Sequence, residues 1–313
     1  MFFKSMAGSQ DIIKSQKILP GGLKLLSYPA PLKIRADEDR VLFGDAFSLK
    51  GNVVVVQTHS DDALIHAGNT AALIAERAHN ARLVTVVSDE AGVTDLYAGQ
   101  YYRKHLYYKD YSKSMPLDMV KRIIRYREAK HSAQEMGFEN HTSFDFSWPA
   151  IKPVYENGRL ISNLTEYKRP TKGEFARICD FVDRAAADVY LLAAPGCRHQ
   201  QHRQATDLFL QAIRRYSSHS RLLFWSDDID KAVLNIQDNI IVYYSSEQEE
   251  ENKRRIYRSS ESQNMRRGGS GNYYGDMAEG ISKYIYHKST SNDEQGFYKQ
   301  YGHAEGFFAN RFE

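Results

Sequence analysis

Two short clusters of histidine and aspartate hold the residue types most able to do chemistry in this chain. The first, His59, Ser60, Asp61 and Asp62, follows a run of four valines at 53–56. An imidazole and a carboxylate three residues apart in a tight turn can bind one metal ion together. This spacing pairs His59 with Asp62 and leaves Asp61 to face the water that the metal binds.

The second cluster contains His199 and His202 and follows the apolar run 189–194. Each run is typical of a strand buried in a parallel sheet, and each cluster precedes a segment typical of a helix. In open α/β sheets, ligands bind just beyond the carboxyl ends of the strands, so both clusters should lie there. His59, Asp62 and His202 would supply the three ligands of a catalytic zinc site and leave a fourth position open.

A simpler interpretation of the first cluster is a helix cap. Ser60 or Asp61 could accept hydrogen bonds from backbone N–H groups at the start of a helix over 63–79. The tetrapeptide taken alone favours the cap, and the second cluster reverses that balance. Cys197 could pair with His199 as nucleophile and base, although a small residue that fills a turn is the commoner case. No Gly-x-Ser-x-Gly motif is present, so a serine hydrolase has no obvious nucleophile.

The two clusters resemble the motifs of the PIG-L/LmbE-like N-acetylglucosaminyl deacetylases. The first motif of that family is usually His-Pro-Asp-Asp, and residues 59–62 read His-Ser-Asp-Asp. The second is His-x-x-His, and residues 199–202 read His-Gln-Gln-His. The resemblance extends over about residues 52–216. Softer matches are Ser88–Gly92 to Thr-x-Gly-Glu, Arg125–Glu128 to Arg-x-x-Glu, Tyr257–Gln263 to Tyr-x-Ser-Gln and Ala304–Phe307 to Ala-Glu-x-Phe.

The resemblance implies a Rossmann-like three-layer α/β fold with a mostly parallel sheet. It also implies one Zn²⁺ per chain, although another divalent metal would suit the same ligands. Seven residues take roles by position. They are the metal ligands His59, Asp62 and His202, the general base Asp61, the acid or oxyanion stabiliser His199, and the substrate-binding residues Arg125 and Glu90.

The activity that the resemblance implies is hydrolysis of an N-acetyl or other N-acyl group on a small-molecule amino-sugar conjugate. Zinc lowers the pKa of its water towards ~7. Asp61 would take the proton of that water and return it to the departing amine. The zinc ion and a protonated His199 would stabilise the oxyanion.

Three residues depart from the family pattern. Ser60 replaces a proline, which should loosen the turn without removing a ligand. Gln201 replaces the aspartate that usually precedes the last histidine, so we expect the loss of a partner that orients a ring. Cys197 stands where some members have a tyrosine. These departures leave an alternative open, a non-catalytic or weakly active Rossmann-like protein that binds a sugar or glycoconjugate.

The composition limits the cellular location and the partners that the protein can have. Two cysteines in 313 residues give no disulfide framework, and no apolar run is long enough for a transmembrane helix. The start of the chain does not resemble a signal peptide, so we expect a cytoplasmic protein without a membrane span. A net charge of +3 does not indicate nucleic acid as a partner. The oligomeric state stays open.

Alternating strand and helix patterns predict one domain over residues 1–313. An extension at 1–51, with an edge hairpin around Leu23–Leu42, precedes a core of about 52–244, and the segment 245–313 should pack on that core. The charged tract 245–275 is typical of a solvated helix. The tyrosines of 94–115 could wall the site or pack on the core. The predicted strands are 52–57, 83–88, 142–147, 189–194, 222–225 and 239–244, the predicted helices are 63–79, 117–136, 171–187 and 203–216, and a hairpin is predicted in 150–168.

Overall fold

The protein is described by a computed structural model that covers the core of the chain. The described residues are 51–88, 93–106, 115–148, 169–195, 197, 199–225, 246–258 and 262, together with the backbone of seven further strands. The strands are β1 (Ile18–Leu19), β2 (Leu23–Leu25), β3 (Leu32–Arg35), β4 (Asn52–Gln57), β5 (Asn80–Val87), β6 (Asn140–Phe146), β7 (Val154–Glu156), β8 (Arg159–Ser162), β9 (Val189–Ala193), β10 (Arg221–Trp225), β11 (Ile240–Ser245) and β12 (His303–Phe312). The helices are α1 (Asp62–Arg77), α2 (Asp95–Tyr101), α3 (Leu117–Glu135), α4 (Lys172–Ala185), α5 (Gln200–Tyr216) and α6 (Glu247–Arg258), and a π-helical turn (Tyr102–Leu106) follows α2.

Five parallel strands form the centre of the sheet, in the order β6, β5, β4, β9 and β10. The antiparallel strand β12 follows β10 and pairs with β11 and β2 as well. Helices flank the sheet: α4 packs against α5, while α6 packs against α1 and also contacts α3. The predicted fold class, a Rossmann-like three-layer α/β fold with a mostly parallel sheet, is therefore confirmed.

The central strands are apolar because both of their faces are covered. Val53 to Val56 in β4 are buried, as is every residue of β9. Such strands lose the alternation of apolar and polar residues that marks a sheet with one solvated face. Their carboxyl ends, at Gln57 and Ala193, lie beside each other because β4 and β9 are paired neighbours. The two polar clusters are thereby brought to one edge of the sheet.

Most predicted core elements lie within three residues of the observed ones. The N-terminal edge hairpin is wrong, because β2 pairs with β1 and β12 while β3 pairs with β11. The connection 94–115 contains α2, and the strand β12 was not predicted. The hairpin in 150–168 is confirmed as the antiparallel pair β7 and β8.

The helix predicted in the charged tract exists as α6, but only part of it is solvated. Glu250, Lys253, Ile256 and Tyr257 are buried on its inner face. The Nδ2 atom of Asn69 in α1 donates a 2.6 Å hydrogen bond to Oε1 of Glu250. The start of the C-terminal segment therefore packs on the core. Within the described residues, every helix is too short or too polar to cross a membrane.

Candidate metal centre and active site

The turn between β4 and α1 places two aspartates at the start of a helix. Asp61 occupies the N-cap position, yet its side chain makes no capping hydrogen bond. Its Oδ1 atom instead accepts a hydrogen bond from Nη2 of Arg125 at 3.1 Å. The Asp61 carboxylate is therefore directed by a side chain of α3, and the interpretation of this residue as a simple helix cap does not hold.

Asp62 joins both histidine-bearing segments. Its Oδ2 atom accepts a 2.7 Å hydrogen bond from the backbone N–H of His59 and lies 3.3 Å from Nδ1 of that ring. Its Oδ1 atom lies 3.2 Å from Nε2 of His202. Burial alone would raise the pKa of Asp62, but the charges and hydrogen bonds of the two histidines outweigh it and hold the pKa well below the usual value. Asp62 is thus a carboxylate at neutral pH, as a metal ligand must be.

The second cluster lies at the junction of β9 and α5. His199 occupies the N-cap position of α5, and His202 lies in its first turn. The Nε2 atom of His202 is 3.3 Å from Nδ1 of His59. Strand ends that are far apart in sequence therefore supply donor atoms to one point, as the position of the clusters after neighbouring parallel strands requires.

Gln201 determines which nitrogen of His59 carries the proton. Its Nε2 atom donates to the backbone carbonyl of Trp148, just after β6, so its Oε1 atom must face the other way. Oε1 lies 2.8 Å from Nε2 of His59. Because an amide oxygen only accepts, His59 must donate from Nε2. Once the ring gives up its Nδ1 proton to bind a metal, the Nδ1 lone pair faces the same point as Asp62 and His202. Gln201 thus contacts the His59 ring, although we expected this substitution to remove such a partner.

The side chains of His59, Asp62 and His202, called the donor triad below, have the spacing of a tetrahedral zinc site. Nδ1 of His59 lies 3.3 Å from Nε2 of His202 and 3.3 Å from Oδ2 of Asp62, and Oδ1 of Asp62 lies 3.2 Å from Nε2 of His202. Bonds of about 2.0–2.1 Å at tetrahedral angles place neighbouring ligand atoms roughly 3.3 Å apart. These residues could therefore hold a zinc ion without a large rearrangement.

His199 is a further donor near this centre. Its ring centroid lies 5.1 Å from that of His59 and 4.6 Å from that of His202. One donor nitrogen from each of the three rings can be chosen so that all lie within 4.8 Å of one another. A set of three histidines could hold a metal too, but the shorter distances and the negative charge favour Asp62 as the third ligand over His199.

The structure describes one of the two predicted substrate-binding residues, Arg125, and does not describe the other, Glu90. Arg125 is buried and contacts Asp61, and its Nη1 atom lies 3.9 Å from Oε2 of Glu128. Its contact with a substrate stays a prediction. Glu90 lies outside the described residues.

Where the structure describes it, the tyrosine-rich connection packs on a small apolar cluster beside the main core. Tyr97, Tyr101 and Tyr102 lie against the small apolar cluster that includes Val93 and Ile124. This agrees with the packing alternative for these three rings. The tyrosines at 107, 108 and 111 lie outside the described residues.

Two tryptophans and two polar residues complete the surroundings of the site, and none of the four was assigned a role there from the sequence, although Glu128 and Ser262 lie within the matches at 125–128 and 257–263. The Trp225 ring, at the end of β10, lies 5.4 Å from the His202 ring and stacks on His66 at 4.7 Å. Trp148 supplies the carbonyl that holds Gln201. The position of the two tryptophans at the ends of strands is the one sequence feature that could have indicated their place near the site. The polar residues are Glu128 and Ser262, which hydrogen-bond to each other.

A model of the GlcNAc-PI de-N-acetylase family, PIG-L, matches residues 54–213. The chain belongs to this family. The match includes all three residues of the donor triad and ends before α6. No curated protein matches the chain in sequence.

Solved structures share the fold at low identity. A deacetylase of the teicoplanin biosynthesis pathway is 14% identical, with a TM-score of 0.53 over 82% of this chain and 97% of that chain. The N,N'-diacetylchitobiose deacetylase of Pyrococcus horikoshii is 14% identical, with a TM-score of 0.54 over 86% and 90%. The 4-carboxy-2-hydroxymuconate hydratase of Pseudomonas putida is 18% identical, with a TM-score of 0.51 over 83% and 95%. This fold thus supports more than one reaction.

Proposed function

We propose that this PIG-L family member is a zinc-dependent N-deacetylase of a small-molecule amino-sugar conjugate, from which it removes an N-acetyl or another N-acyl group. One observation carries the proposal. Nδ1 of His59 and Nε2 of His202 lie 3.3 Å apart, and each lies 3.2–3.3 Å from an oxygen of Asp62, at the edge of the sheet where ligands bind in this class of fold. Family membership supports the reaction class, and the histidine cluster supports a metal.

In this proposal, His59, Asp62 and His202 hold the metal. A zinc ion bound there supplies a Lewis acid that polarises the acyl oxygen and acidifies water. The Asp62 carboxylate offsets part of the charge of the metal. The Gln201 amide keeps Nδ1 of His59 available as a ligand.

Asp61 is assigned as the general base. Arg125 donates a hydrogen bond to its Oδ1 atom, which restricts the orientation of the carboxylate at the start of α1. From this position Asp61 would take a proton from the attacking water and pass it to the nitrogen of the departing amine. The neighbouring Asp62 lies between His59 and His202 and cannot take this role while it is a ligand.

His199 is assigned as the residue that stabilises the oxyanion or acts as an acid. It lies against the His59 and His202 rings but does not share their 3.2–3.3 Å contacts with Asp62. A protonated ring here could donate to the developing negative charge of the acyl oxygen. Arg125 and Glu90 remain the proposed contacts for the substrate.

The alternative function is a binding protein with weak or no activity. It was suggested by Gln201 and Cys197, but Gln201 still hydrogen-bonds the His59 ring. That contact favours the catalytic proposal, because Nδ1 of the His59 ring remains directed towards Asp62 and His202.

Purified protein loaded with zinc and incubated with a panel of N-acetylated glucosamine conjugates tests the function. We expect free amine and acetate in equal amounts from at least one conjugate, and no product with a His59→Ala control. Stoichiometric zinc without release of amine from any conjugate would support the binding protein instead.

A further inference from the structure

Glu128 of α3 is a buried carboxylate held by a residue far along the chain. The backbone N–H of Ser262 donates a 2.8 Å hydrogen bond to its Oε1 atom, and the Ser262 hydroxyl donates a 2.6 Å hydrogen bond to its Oε2 atom. Both oxygens of the carboxylate are therefore bound by one residue, and Ser262 is itself fully buried. A partner that satisfies both oxygens also fixes the orientation of the group.

The carboxylate of Glu128 lies beside Arg125, which in turn lies beside Asp61. Oε2 of Glu128 is 3.9 Å from Nη1 of Arg125, and Nη2 of the same guanidinium is 3.1 Å from Oδ1 of Asp61. All four residues are at least nine-tenths buried. Successive polar contacts thus connect Ser262, through Glu128 and Arg125, with the proposed general base Asp61.

The charges of these residues depend on one another. Burial raises the pKa of Glu128 above its usual value, and the charge of Arg125 and the hydrogen bonds from Ser262 offset part of this rise. Arg125 is a buried cation, and anions on two sides of its guanidinium offset the cost of burying it. Without its Ser262 partner, the Glu128 carboxylate could change its orientation and would restrain the Arg125 guanidinium less. The hydrogen bond from Arg125 to Asp61 would then be weaker.

We propose that Ser262 is a positioning residue of the catalytic site, acting through Glu128 and Arg125 on Asp61. The proposal rests on the proposed function of Asp61 as general base. Ser262 lies beyond residues 54–213, where the chain matches the family model. The C-terminal segment therefore contributes to the site itself, in addition to packing on the core.

Ser262→Ala tests the proposal, because it removes the hydroxyl and keeps the backbone N–H. We expect kcat to fall about tenfold, less than the ~10²–10⁴ of losing a general base, while KM and zinc content stay within twofold. Ser132→Ala is the matched control, since Ser132 is a fully buried serine on α3 one turn after Glu128. It should leave kcat unchanged.

A double-mutant cycle separates positioning from a general structural effect. If Ser262 acts through Asp61, then Ser262→Ala should have no further effect on the residual rate of Asp61→Asn. An equal fall in kcat on both backgrounds would overturn the proposal. Should Ser262→Ala fail to fold, Glu128→Gln keeps the shape of the side chain and carries the same expectation.

Crystal structures of the variants give a readout that does not need activity. The 3.1 Å contact between Arg125 and Asp61 should be lost or lengthened in Ser262→Ala and retained in Ser132→Ala. An unchanged contact would overturn the proposal. A wild-type protein that releases no amine from any conjugate would defeat the proposed function, and the crystallographic comparison would still decide whether Ser262 positions Asp61.

Discussion

Gln201→Leu should weaken zinc binding, although Gln201 is not itself a ligand. The change removes the acceptor that lies 2.8 Å from Nε2 of His59. The ring can then place its proton on Nδ1, which is the nitrogen that faces Asp62 and His202. Loss of such an orienting partner typically costs about 10–100-fold in metal affinity, or ~1.4–2.7 kcal/mol.

The same substitution should lower stability. It also removes the hydrogen bond to the buried carbonyl of Trp148. A buried polar group left without its partner costs ~1–3 kcal/mol, so the loss of the partner of this carbonyl should lower the free energy of unfolding measurably in urea. Leucine is close in volume to glutamine, which keeps the packing contribution small.

The assay is a competition titration of zinc against a chromophoric chelator. Gln211→Leu is the control, since Gln211 is exposed on the same helix. We expect a weaker zinc affinity for Gln201→Leu alone. Equal zinc affinities for Gln201→Leu and the wild type would refute the tautomer argument, and a parallel loss in the control would point to a general effect of the helix.

Three further substitutions test other parts of the account. His202→Ala should lose stoichiometric zinc in metal analysis, and unchanged zinc would rule out this ligand. Arg125→Ala should raise KM and lower kcat, because Arg125 contacts Asp61. Arg127→Ala should change neither, because the exposed Arg127 contacts Tyr101. The opposite pattern in steady-state kinetics would show that the wrong arginine was chosen. Glu250→Ala should cost ~1–3 kcal/mol in urea unfolding because it breaks the buried bond to α1, and a loss no larger than that of the exposed Glu251→Ala would argue against docking of α6.

The central elements could be predicted because local pattern and burial agree there. The valines 53–56 and the run 189–194 are apolar throughout, which matches strands covered on both faces. The carboxyl ends of parallel strands lie at one edge of a sheet, so both clusters could be placed at that edge from the sequence, and the pairing of β4 with β9 brings His59 to His202.

The contacts that orient the site could not be predicted in this way. Ser262 reaches Glu128 across 134 positions of the chain, and Gln201 reaches the carbonyl of Trp148 across 53. Neither pair has a periodicity or spacing that reveals it. The strand β12 was missed for a related reason, because its pairings with β10, β11 and β2 all join segments that are far apart in the chain.

The most direct test of the account compares Asp61→Asn with Asp62→Asn for zinc content and turnover in the same preparation. Asp61 is the proposed base, bound by Arg125, whereas Asp62 lies 3.2–3.3 Å from both histidine donors. We expect Asp61→Asn to keep its zinc and lose ~10²–10⁴ in kcat, and Asp62→Asn to lose both zinc and activity. Loss of zinc from Asp61→Asn, or turnover by it at the wild-type rate, would contradict this division of roles.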